Sequence, residues 1–182
     1  MGIAFDTIVF RDGLRCDSAT DETPFSAEDP VLYVERVTRA KAEHGLRIVN
    51  ERKLPLRPVL AADTTLEFDG QIIGKPVDMA DAVSILRRLS GHTHRVLTGV
   101  ALDHMGRTEY VLSRSEVRFR TLDEEEIRHY VLSGEPMDKA GAYGIQGRGG
   151  MFVEHLSGSF SGVMGLPVCE TGELLKRFGW RF

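Results

Sequence analysis

Asp63 stands in Ala61-Ala62-Asp63-Thr64-Thr65, where a small apolar run turns polar. A carboxylate at such a strand end can face a cleft and act as general base or metal ligand, or it can simply cap a turn. Gly74-Lys75-Pro76 offers a cation on backbone that glycine lets approach a ligand and that proline stiffens. Lysine meets phosphate as a compact point charge, although most surface lysines have no such task. Lys41 lies between the small Ala40 and Ala42, a setting that suits reaching across a groove and plain helix packing alike. The densest cluster is KAGAYGIQGRGG, Lys139 to Gly150, with five glycines in twelve residues. Neither the phosphate loop ending Gly-Lys-Ser/Thr nor the dinucleotide pattern G-x-G-x-x-G fits its spacing. Lys139 suits phosphate, and Gln146 carries both an amide donor and an acceptor, which suits the edge of a nucleobase.

These residues need elements to hold them. Asp29-Pro30 places an N-cap and a first-turn proline before Val31, Val34, Val37 and Lys41, so an amphipathic helix is predicted from 30 to about 50. Val59 to Ala62 reads as a strand that Thr65 to Phe68 can continue, and Asp69-Gly70 signals a hairpin into Gln71-Ile72-Ile73. Asp78 caps a second helix ending before Gly91. Residues 95–103 and 108–119 form a second predicted hairpin across His104-Met105-Gly106-Arg107. Thr121 and Glu124 have capping-box spacing, and Asp123 to Glu126 read as the solvated first turn of a third helix ending near Gly134. Thr7 to Phe10 is a β-prone run before a polar loop over 11–29. A Gly/Ser turn is expected at 157–162 and a last helix near 170–178. Helices alternating with hairpins imply one α/β (mixed α+β) domain over 1–182, with a mixed sheet and no linker or repeat.

Composition narrows the partners. The chain has 182 residues, 42% hydrophobic and 27% charged, with a net charge of −4. A negative balance disfavours nucleic acid as a partner. MGIAFDTIVF has no basic leader and no run reaches membrane-spanning length, so the reading is cytoplasmic with no membrane partner. Cys16 and Cys169 lack metal spacing and read as reduced thiols. His92, His94 and His155 read as solvated or core histidines rather than a metal set.

Together, "DETP", "YVERVTRAKA", "LAADTT", "IIGKPVDMADAVSILRRLSGHTHRVLTGVAL" and "SGEPMDKAGAYGIQGRGGMFVEHLSGSFSGVMGLPV" resemble the Maf family of nucleoside triphosphate pyrophosphatases, in the family's order and over nearly the whole chain. The resemblance implies an inosine triphosphate pyrophosphatase-like fold, an elongated domain whose mixed twisted sheet is split by a cleft. It implies a homodimer, a divalent cation (Mg²⁺ or Mn²⁺), and hydrolysis of a nucleoside triphosphate to its monophosphate and pyrophosphate. By the same resemblance Asp63 is the general base, and Glu22 helps it hold the metal. Lys41, Lys75 and Lys139 neutralise phosphate, Thr64 and Gln146 set base specificity, and "ADT" with "GIQG" marks the dTTP/UTP branch. An alternative the family also carries is a nucleotide-binding regulator of septum formation. Family members open with a strand and Ser-x-Ser-Pro-Arg-Arg before a first helix, whereas MGIAFDTIVF resembles the segment after that helix. The expectation is therefore a chain without that motif and with weaker catalysis.

Overall fold

The computed structural model of the chain describes residues 2–9 and 20–181. Helix α1 (Pro30–Glu51) starts where the sequence predicts, with Asp29 accepting from the backbone N–H of Val31 and Leu32 and Pro30 in the first turn. Strands β1 (Val59–Phe68), β2 (Gln71–Ile73), β3 (Thr93–His104), β4 (Arg107–Phe119) and β5 (Val153–Ser157) form one sheet in the order β2-β1-β3-β4-β5. Helices α2 (Met79–Leu89), α3 (Glu124–Leu132), α4 (Phe160–Val163) and α5 (Val168–Arg177) follow, with short 3-10 turns at Glu135–Asp138, Ala140–Ala142 and Arg148–Phe152. Among the described residues no helix is long and apolar enough to cross a membrane.

The α/β class holds, but every pairing among the described strands is antiparallel rather than mixed. The physical cause lies in the connections. Asp69-Gly70 and Met105-Gly106 join their strands directly with positive φ at both positions (52° and 75°, 51° and 78°). That backbone matches the twist of a hairpin, whereas a parallel neighbour needs a long crossover.

Alternation along the strands sorts side chains between two faces. On one face Leu97 and Leu112 meet Tyr33, Val34 and Val37 of α1. On the other, Leu66, Phe68, Val96, Val117 and Phe119 pack with α2 and α3 around the largest core. Farther along that second face, Val100 and Leu102 meet Leu174 and Leu175 of α5. Strand β2 pairs only with Leu66 to Phe68, so Val59–Thr65 has a strand neighbour on one side only among the described strands.

Several local expectations change. The described part of the β-prone run, Thr7 to Val9, forms no strand. Val9 is exposed, and its carbonyl accepts instead from the Arg52 guanidinium at 3.1 Å. Phe10 and residues 11–19, with Cys16 and Asp17, lie outside the described residues. The third helix is capped by Asp123, which accepts from Glu126 N–H, and not by a box on Thr121. The expected turn at 157–162 holds the helical turn α4, because Ser159 accepts from Gly162 N–H and caps it. The last helix begins at Val168, two residues earlier than expected, behind Pro167.

Candidate active site

Asp63 is not at a strand end. It lies within β1 opposite Gly99, which removes the turn-capping reading. Gly99 is required there, because a Cβ would sit 2.8 Å from the Tyr110 ring and overlap Thr38. Asp63 faces α1, and Lys41 Nζ donates to its Oδ1 at 2.6 Å. The same ammonium pairs with Glu22 Oε1 at 2.8 Å. Two carboxylates therefore share one lysine, with their bonded oxygens no farther apart than those two distances combined.

Glu22 arrives on irregular backbone that needs fastening. Tyr33 OH donates to Glu22 O at 2.8 Å. Arg36 grips the segment, donating to Thr23 O and to both Glu28 oxygens while its guanidinium lies over Phe25. Tyr33, Val37 and Lys41 fall at i, i+4, i+8 on α1, so this support was open to helical reading of the sequence. The strap itself was not, since its contacts come from tertiary folding.

Charge and burial work against each other here. Burial is the largest influence on Asp63 and lifts its pKa above the ordinary carboxylate range despite Lys41, with repulsion from Glu22 adding to the rise. For Lys41, burial opposes the charge most, but hydrogen bonds to Asp63 and Glu22 outweigh it and hold the ammonium above its usual value. Asp63 Oδ2 takes no hydrogen bond from any described residue. The result is a basic carboxylate with one oxygen committed and one available.

A cleft of about 690 Å³ collects most of the residues singled out by sequence: Glu22, Lys41, Asp63, Thr64, Lys75 and Lys139 all line it. Because Asp63 and Thr64 are strand neighbours, they point to opposite sheet faces, and the cleft wraps the one-sided stretch of β1 to reach both. Lys75 is exposed and makes no ion pair among the described residues. Gly74 carries no packing demand, since a Cβ there would meet open space. Lys139 is held by Asp138 at 2.6 and 2.7 Å, a partner adjacent in sequence that the sequence reading passed over. On the Thr64 side, Thr98 donates its hydrogen to Gly162 O at 2.8 Å. In the 3.0 Å contact between the hydroxyls Thr64 is therefore the donor, and its lone pairs stay open.

Gln146 is the exception. It is exposed and does not line the cleft. It is nonetheless close to Lys139, since a Cβ on Gly144 would lie 3.6 Å from Lys139 Cε and 3.9 Å from Gln146 Oε1. Tyr143, missed by the sequence reading, lines the cleft and is hydrogen-bonded at 2.9 Å to the buried His94.

The arrangement joins a half-buried basic carboxylate to three ammonium groups around an open cleft, which is suited to a polyanion that water attacks. Comparison with known proteins bears on the same chain. A family model described as "Maf-like protein" matches residues 5–178. A protein of Dechloromonas aromatica (strain RCB) named "dTTP/UTP pyrophosphatase" is 78% identical over 181 residues, covering 100% of this chain and 90% of the relative. One of the same name from Aromatoleum aromaticum (strain DSM 19018 / LMG 30748 / EbN1) is 58% identical, covering 99% and 88%. Another from Nitrosomonas europaea (strain ATCC 19718 / CIP 103999 / KCTC 2705 / NBRC 14298) is 47% identical, covering 98% and 86%. On a family match over most of its length and relatives of this similarity, the chain belongs to the Maf-like protein family.

Proposed function

We propose that this chain is a nucleoside triphosphate pyrophosphatase acting on dTTP and UTP, and that the β1 cleft is its active site. One observation carries the reading: Asp63, half-buried and with a raised pKa, lines the same cleft as Lys41, Lys75 and Lys139. The names of the relatives at 78% and 58% identity agree with it.

Asp63 takes a proton from water through its available oxygen while the water oxygen bonds to the α-phosphorus. The bridging P–O bond breaks, and its electron pair leaves with pyrophosphate. Lys41 keeps Asp63 and Glu22 from repelling each other as the proton moves. Lys75, without an ion pair among the described residues, meets phosphate oxygens. Lys139 meets them by exchanging its contact with Asp138. Each such cation contributes on the order of a few kcal/mol to transition-state stabilisation.

A divalent cation fits this chemistry. No group of three metal-binding side chains occurs among the described residues, but Asp63 and Glu22 supply two neighbouring hard oxygen donors. Mg²⁺ commonly takes one or two carboxylates and completes its shell with water and substrate phosphate. When bound, Mg²⁺ or Mn²⁺ would neutralise charge on the phosphate oxygens. For the base, Thr64 offers acceptor lone pairs, and Gln146 offers a donor and an acceptor to the imide edge shared by thymine and uracil. We assign the enzyme to the cytoplasm and to a homodimer, which sedimentation tests directly.

The test is pyrophosphate release from a panel of triphosphates with Mg²⁺ or Mn²⁺, for the wild-type chain and Asp63→Asn. Release from dTTP and UTP that disappears in the variant is expected. Undiminished turnover by Asp63→Asn would sink the mechanism.

A further inference from the structure

The glycines of the Lys139–Gly150 loop answer to a carboxylate within the protein. Glu135 leaves the end of α3 and turns its side chain under the loop. Its Oε2 accepts from Arg148 N–H at 3.0 Å, and its Oε1 accepts from Gly149 N–H at 3.1 Å and from Tyr130 OH at 2.9 Å. Tyr130 OH in turn accepts from Gly144 N–H at 3.2 Å. A Cβ on Gly147 would lie 2.6 Å from the Glu135 carboxyl carbon, and one on Gly149 would lie 2.8 Å from Tyr130 OH. Two loop glycines are thus glycines because the Glu135–Tyr130 pair occupies the space of a side chain. Burial disfavours the charge on Glu135 most, yet the two backbone N–H groups and Tyr130 outweigh it and hold the carboxyl below its ordinary range.

From this geometry we propose that Glu135 and Tyr130 act as one positioning unit for base selection, fixing the backbone from Gly144 to Gly149 so that Gln146 is presented beside Lys139. Neither residue lines the cleft, so both act through the loop. The proposal rests on the reading that Gln146 contacts the base. An amide at position 135 turns one accepting oxygen into a donor, which then faces either Arg148 N–H or the Gly149 and Tyr130 donors. Phenylalanine at 130 removes the acceptor of Gly144 N–H and leaves the fold's aromatic packing on Phe152 in place.

The experiment measures kcat/KM for UTP and CTP, which differ only in the pyrimidine edge, in Gln146→Ala, Glu135→Gln, Tyr130→Phe and the Glu135→Gln/Tyr130→Phe double variant. Each single variant is expected to lower the UTP:CTP ratio by roughly tenfold or more. The double variant should fall no further than the worse single one, as for residues acting together. A general loss of stability would lower both substrates alike and leave the ratio alone. A lowered ratio in Gln146→Ala with an unchanged one in both Glu135→Gln and Tyr130→Phe overturns the positioning while sparing the base reading. An unchanged ratio in Gln146→Ala overturns the base reading, and the proposal falls with it.

Discussion

Lowering the pH should destabilise this protein through the buried His94. His94 is buried, and burial alone holds its pKa down from 6.5 to about 4. Among the described residues no charged side chain contributes to that shift. The groups around the ring are Phe119 and Tyr143, and burial raises the Tyr143 phenol, so it stays neutral throughout. The folded imidazole is therefore neutral where the unfolded one takes up a proton. Stability is fully present above about pH 6.5 and is lost as the pH falls toward 4. A gap of about two and a half units is worth roughly 3 kcal/mol, of which about 2 kcal/mol is spent by pH 5. Denaturant titrations from pH 8 to pH 5, with the slope m held constant as the control, measure the loss directly. His94→Gln keeps a hydrogen-bonding partner for Tyr143 but has no titrating group. It should be less stable at pH 8 yet lose about 2 kcal/mol less than wild type by pH 5. Equal losses in the two proteins would refute the argument. The consequence reaches the cleft, because a proton on His94 forces a buried charge against Tyr143, which lines it.

Other consequences are simpler to state. Gly141 has φ 72°, and a Cβ there would overlap the Leu66 side chain, so Gly141→Ala should cost a few kcal/mol and lower Tm by roughly 10 °C in a thermal melt. Asp123→Ala should cost about 1 kcal/mol in chemical denaturation, while Thr121→Ala costs measurably less; the reverse order would restore the capping box. Arg36→Ala unfastens the segment carrying Glu22, so the Mg²⁺ concentration for half-maximal turnover should rise about tenfold, and an unchanged value would show that the strap does not matter.

What could be read from sequence was whatever is local. Asp29-Pro30, Asp69-Gly70, Asp78 and the Met105-Gly106 turn each encode a boundary within a few residues, and all lie where expected. Thr121 misled because two acceptors near one helix start satisfy the same spacing, and only geometry shows that Asp123 reaches Glu126 N–H. Asp63, Lys41, Lys75 and Lys139 stood out by residue type and setting and all line the cleft. Glu22 and Thr64 came only with the family resemblance, and the sharing of Lys41 between Asp63 and Glu22 joins positions far apart in the chain. Glu135 and Tyr130 escaped notice for the same reason, although the glycines they demand were the most conspicuous stretch in the sequence.

The cleft owes its chemistry to a two-residue alternation. Asp63 opposes Gly99 and Thr64 opposes Thr98, so one strand sends a carboxylate to the α1 face and a hydroxyl to the other. The α1 face receives the charges, Lys41 and Glu22. On the opposite face Thr64 is bonded to Thr98 and Tyr143 to His94. A ligand lying around the one-sided stretch of β1 can then meet proton transfer on one side and hydrogen-bonding groups on the other. Slipping the β1–β3 register by one residue would exchange these roles and carry Asp63 off the α1 face, away from Lys41, to the face of Val96 and Thr98. Gly99 and the buried Thr38 above it hold that register, so packing on the α1 face and the position of the base are one constraint.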